Sequence, residues 1–162
     1  ADVEAALDHP SELVRATALE VLGLIGAVGA AHNVEFALRS DLSLEVRVRA
    51  ARTLGRLGTR SALAPLLEAV EPDRPAALRA EAAKALGELG ARAAAEPLAA
   101  LLADPEYHVA HQAARALLRL GEPGRAALLG ATGGRSRDHA EEAISVAELE
   151  AGRRGLLTTA NR

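Results

Sequence analysis

Apolar and polar residues in this chain alternate with a helical period. In Val46-Arg47-Val48-Arg49-Ala50-Ala51-Arg52-Thr53-Leu54-Gly55-Arg56-Leu57-Gly58, the residues Val46, Ala50, Ala51 and Leu54 fall at i, i+4, i+5 and i+8. That spacing places them on one face of an α-helix. The same pattern starts again at Val14, Leu78 and Val109, giving periods of 32, 32 and 31 residues. A fifth, degraded copy runs from His139 to Glu150, with Ala143, Ile144 and Ala147 in apolar positions. Self-similarity at this period is the mark of a repeat array. Two glycines close the copies: one near the helix end allows close packing, and one after it supplies a left-handed cap. A second helix is predicted after each cap, over residues 31–38, 61–70, 93–102 and 125–130. Polar turns carrying Asp8, Asp41, Asp73, Asp104 and Asp138 separate the units.

One helix pair cannot bury its own apolar stripe, whereas stacked pairs share a continuous core. The expected architecture is therefore all-α: a solenoid of about five helix pairs over residues 1–152, followed by a C-terminal tail over 153–162. The repeats span approximately 1–28, 29–58, 59–90, 91–121 and 122–152. Residues Val3 to Leu7 read as the end of a helix, so the chain is expected to be part of a larger protein.

Composition agrees and removes alternatives. Alanine and leucine dominate, aromatics are 1%, and Phe36 and Tyr107 are the only rings of that class. A chain without β-branched and aromatic runs favours helix. Thin stacked layers also need no large rings. With no cysteine, disulfide scaffolds, thiolate metal sites and cysteine nucleophiles are excluded. The net charge of −3 lacks the global basic signature of a nucleic-acid binder. The longest uncharged run, Val21 to Val34, is too short to span a bilayer. Usage rich in Ala, Arg and Gly and poor in Lys points to a GC-rich bacterial genome, and a cytoplasmic location is expected.

The Asp turn, Val-Arg, Ala-Ala and Leu-Gly-x-Leu-Gly elements, with Pro65-Leu66-Leu67 and Pro97-Leu98 in the second helix, resemble the HEAT-like repeats of phycobiliprotein lyases. Those belong to the wider HEAT/armadillo superfamily. The resemblance implies a right-handed α–α superhelix with the Val-Arg helix on the concave face. It also implies that the motif Asp and Arg tie repeat to repeat. Arg15, Arg47 and Arg79 match that arginine and are read as structural. Ala110 departs from it, so the Arg79–Ala110 junction is expected to be the weaker seam.

Positions of the first helix outside the apolar stripe are the candidates for binding. They are Ala16, Thr17, Glu20 and Leu24; Val48, Arg49, Arg52 and Arg56; Ala80, Glu81, Lys84 and Glu88; and His111, Gln112, Arg115 and Arg119. Six are cationic and three anionic, so this set carries +3 within a chain of −3. Arginine forks suit carboxylates. The expected function is non-catalytic protein–protein interaction or scaffolding, with Arg49, Arg52, Arg56, Arg115 and Arg119 steering an acidic segment of a protein partner. Glu81, Lys84, Glu88, His111 and Gln112 complete the expected contact surface. The alternatives are an accessory or lyase-type subunit, and nucleic-acid binding through the arginine stripe. Both aromatics are expected outside the groove.

No catalytic, cofactor or metal residue is assigned. His111-Gln112 is the single near match to the His-Glu pairs of the related di-iron hydroxylases, and glutamine lacks the anionic oxygen such a site needs. His139-Ala140-Glu141-Glu142 reads as a surface stretch, and His9 and His32 as turn residues. The glycine-rich segment 130–134 has no Lys-Ser/Thr pair and is not a phosphate loop.

Overall fold

The structure, a computed structural model, describes residues 3–160, with side chains through Arg153. Among the described residues there is no strand. Helices follow one another as α1 (Glu12–Leu24), α2 (Ala31–Ser40), α3 (Leu44–Leu57), α4 (Leu63–Ala69), α5 (Ala76–Leu89), α6 (Ala95–Ala100), α7 (Tyr107–Arg119), α8 (Glu122–Leu129) and α9 (Gly134–Ala160). Single 3-10 turns lead into α1, α2, α4 and α6. Helices α1, α3, α5, α7 and α9 stack in chain order in one layer. The second layer packs α2 against α4 and α6 against α8. The described residues form a right-handed α–α superhelix of four helix pairs, with α9 standing where a fifth pair begins. The degraded fifth copy is longer than its pattern indicates, because α9 starts at Gly134 and continues past Gly152.

The motif residues explain the stacking. Val46, Ala50, Ala51 and Leu54 are all fully buried, as are Ala82, Ala83 and Leu86 in the next copy. The two glycines do different work. Gly58 and Gly90 cap α3 and α5 in the left-handed conformation, and Gly26 and Gly121, at the same motif position, also have positive φ, with Gly121 turning the chain directly into α8. Gly55 and Gly87 instead lie where first-layer helices cross. A Cβ on Gly55 would stand 2.9 Å from Ala85, and one on Gly87 would stand 2.7 Å from the Cα of Ala116. In the fourth copy this crossing position is Leu118.

Arginine–aspartate rungs tie the repeats. Arg15 on α1 donates through Nε and Nη2 to Asp41, at 2.7 and 2.9 Å. Arg79 on α5 does the same to Asp104, at 2.9 and 2.8 Å, with both side chains almost fully buried. Each aspartate also accepts the backbone N–H two residues on, from Ser43 and Glu106 respectively, in an Asx turn that aims the carboxylate. The Arg15 fork, acting against partial burial, holds Asp41 below the usual carboxylate range.

The rungs correct the expected weak seam. An arginine reaches forward to the aspartate of the following unit, so Arg79 secures the junction to the fourth repeat, and Ala110 has no bearing on it. The open rung is at Arg47, between the second and third repeats. Arg47 Nη1 donates to the carbonyl of Asp41 at 3.4 Å, but its Nε is buried without a hydrogen-bond partner among the described residues.

Candidate protein-binding face

The outer side of the first layer carries most of the charged residues assigned from the pattern, and the structure joins them into an ion-pair network. Arg49 on α3 donates to Glu45, one turn earlier at 2.7 Å, and to Glu20 on α1 at 2.8 Å. Arg52 forks Glu81 on α5 with two bonds of 3.0 Å. Lys84 lies 3.5 Å from Glu81 and 4.0 Å from Glu88. Arg119 on α7 reaches Glu88 at 3.6 Å. Acid and base thus alternate across α1, α3, α5 and α7. Burial works against ionisation of Glu81, but the Arg52 fork and Lys84 outweigh it and hold the carboxyl below its ordinary range.

This pairing changes what the arginines can do. Arg49, Arg52 and Arg119 already hold carboxylates of neighbouring repeats. Arg56 and Arg115 are exposed and form no ion pair with a described residue, so they are the cations free to meet an outside anion. Gln112, on α7, is half-buried. Two positions set aside as free are core: Ala16 and Ala80 are each 2% exposed. The equivalent residues Val48 and His111 are half-buried. At Ala16 and Ala80 this column is enclosed between stacked helices, whereas Val48 and His111 keep part of their surface open.

Three readings of rings are also corrected. Tyr107 opens α7 one turn before His111, and the two rings stack with centroids 5.7 Å apart. The tyrosine therefore belongs to the same helix face as His111 and Arg115, a relation its i, i+4 spacing already contained. Its hydroxyl donates to Glu142 on α9 at 3.0 Å, and that carboxylate raises the phenol pKa. His139 is not a surface residue. It is 9% exposed, with its ring 5.2 Å from that of Tyr107. His32 lies on α2, not in a turn.

Between α7 and α9 runs a groove of about 490 Å³, floored by Leu118, Ala143, Val146 and Ala147 and edged by Arg115, Arg119, Glu142 and Glu150. Leu118 occupies the crossing position that is glycine in the earlier copies, so α9 cannot approach α7 as closely as α7 approaches α5. Among the described residues, no three His, Asp or Glu side chains gather in a metal-binding group. No described helix is long and apolar enough to cross a membrane.

No curated protein matches the sequence. Among solved structures, the complex of CpcE and CpcF of phycocyanin lyase from Nostoc sp. is similar at 25% identity and a TM-score of 0.67; the match covers 88% of this chain and 62% of that one. The chain thus spans less than two thirds of that relative's length. A designed armadillo repeat protein matches at 20% identity and a TM-score of 0.59, over 88% of this chain and 79% of that one. The fold agrees with a third, the YibA protein of E. coli, at 22% identity and a TM-score of 0.58, over 91% and 58% of the two chains. The HEAT repeats family matches residues 2–76 and 63–147, and with nearly the whole array inside those two spans, the chain belongs to the HEAT-repeat family.

Proposed function

We propose that the chain is a non-catalytic protein-interaction module that receives a protein partner on the outer side of its first helix layer. The observation that carries this reading is the continuity of that face. Residues from α1, α3, α5 and α7 form one ion-paired surface, and Arg56 and Arg115 stand on it without carboxylates. An acidic segment crossing this surface would meet the two free forks and could exchange with the exposed glutamates of the network. Specificity would come from the fixed spacing of charges set by the stack, since few aromatic anchors are available.

The test is charge reversal at the free cations. Arg56→Glu with Arg115→Glu removes the proposed anchors without breaking the Glu20, Glu81 or Glu88 pairs. Partner capture from the host lysate is expected to fall sharply while the circular dichroism spectrum stays unchanged. Capture that persists in this double variant overturns the reading. Steep loss of DNA or RNA binding with salt would instead favour phosphate contacts.

A second reading has one specific support, the likeness to the lyase complex. An accessory or lyase-type subunit would bind a bilin or pair with a second solenoid. Incubating the purified chain with a bilin and finding no change in absorbance, together with a monomeric chain at high concentration, would remove that reading.

A further inference from the structure

The open rung at Arg47 sits in a cleft of about 240 Å³, lined by Leu38, Arg39, Arg47, Glu68, Asp73 and Arg74 together with nearby apolar residues. Three features of this place stand out. In the two closed rungs, the equivalent forks each hold a carboxylate by two bonds of 2.7–2.9 Å. Arg47 is anchored in the same way at its base, with Nη1 on a turn carbonyl, as Arg15 bonds the carbonyl of His9 and Arg79 that of Arg74. Yet its Nε, which in the other rungs donates to aspartate, is buried and unbonded.

The reason lies two residues past the aspartate. Asp41 and Asp104 are aimed by the N–H of Ser43 and Glu106. The corresponding residue after Asp73 is Pro75, which has no N–H to donate. Asp73 therefore lacks the bond that would turn it inward, and its side chain is 72% exposed, with Arg74 3.7 Å away. The repeat has kept the receptor and lost its internal ligand.

We propose that the Arg47 fork is a binding site for a carboxylate supplied from outside the chain, an Asp or Glu side chain or a terminal carboxylate of a protein segment entering the cleft between the second and third repeats. Carboxylate is favoured over phosphate by the surroundings. Arg39 is engaged by Glu68 in a fork of 2.8 and 2.9 Å, and the carboxylates of Glu68 and Asp73 also line the cleft. A dianion would meet more repulsion there than a monoanion. The site is separate from the charged face of the first layer, so it stands or falls independently of the Arg56 and Arg115 test.

The experiment uses the 15N-labelled chain, with the arginine Nε–Hε resonances followed by NMR during titration with N-acetylglutamate. The Arg47 resonance is expected to shift saturably, and those of Arg15 and Arg79 to stay in place. N-acetylglutamine, which lacks the anion, is expected to have no effect. Pro75→Ala restores the missing N–H, so Asp73 should close the fork. Apparent affinity for N-acetylglutamate should then fall by about tenfold or more, the worth of a charged hydrogen bond. An equal shift with N-acetylglutamine or a larger one with inorganic phosphate overturns the proposal, as does unchanged affinity in Pro75→Ala. Movement of the Arg47 resonance by Asp73→Asn alone, without probe, would show that the chain's own aspartate fills the fork and would also overturn it.

Discussion

Leu54 and Leu86 are fully buried between stacked helices. Because each is completely enclosed, truncation of either to alanine should cost roughly 2–5 kcal/mol, read from urea unfolding. The crossing glycines are sensitive in the opposite sense. A methyl at Gly87 meets the backbone of Ala116 at 2.7 Å, and a backbone cannot turn aside as a flexible side chain can. Gly87→Ala should therefore destabilise by about 1–3 kcal/mol through overpacking. Asp41 supplies the pH dependence. The Arg15 hydrogen bonds lower its pKa below the unfolded value, so its stabilisation is complete above the ordinary carboxylate range and is lost as pH falls through the lowered folded value. Glu81 acts in the same direction. The acid limb of a stability–pH profile should flatten in Asp41→Asn, while the profile near neutrality keeps its shape.

At the scale of the element, the rungs separate two seams that look alike in the motif. Breaking the buried pair with Arg79→Ala leaves Asp104 charged and enclosed, and should cost roughly 3–5 kcal/mol. Arg47→Ala removes a fork that holds no carboxylate and makes one long bond to a turn carbonyl, and should cost no more than about 1 kcal/mol in thermal or urea unfolding. Equal losses would mean the ladder does not act as described. The helix pairs, their order and the core columns were legible in the sequence because each copy confirms the others: Val46, Ala50, Ala51 and Leu54 are buried as their period requires. The binding face was legible only in part. Counting Arg49, Arg52, Arg56, Arg115 and Arg119 as equivalent cations left out their partners, and Glu20, Glu81 and Glu88 sit on neighbouring helices whose lateral register a single-helix pattern does not contain. Ala16 and Ala80 were misplaced for the same reason, since one helix read alone cannot tell solvent from the next helix in the stack.

Among the described residues the main packing runs from each helix to its neighbours in the stack, with no centre that all helices share. Interior helices have a stacking partner on each side, whereas α9 has a first-layer partner on one side only, α7. Amide exchange should be slowest in α3 and α5 and fastest along α9, with protection declining through α7. Uniform protection along the array would contradict this. Each rung is also divided between successive units, with its base in one and its acid in the next. The unit of inheritance is thus offset from the unit of adhesion. Excising residues 59–90 would join Gly58 to Ala91 and leave Arg47 and Asp104 25 positions apart, the separation of Arg79 and Asp104 now. The same cut would set Gly55 against Ala116, as Gly87 is set today. A single recombination would discard the proline that spoils one joint and mate two orphaned halves, so the shortened array should keep its fold and have no open rung.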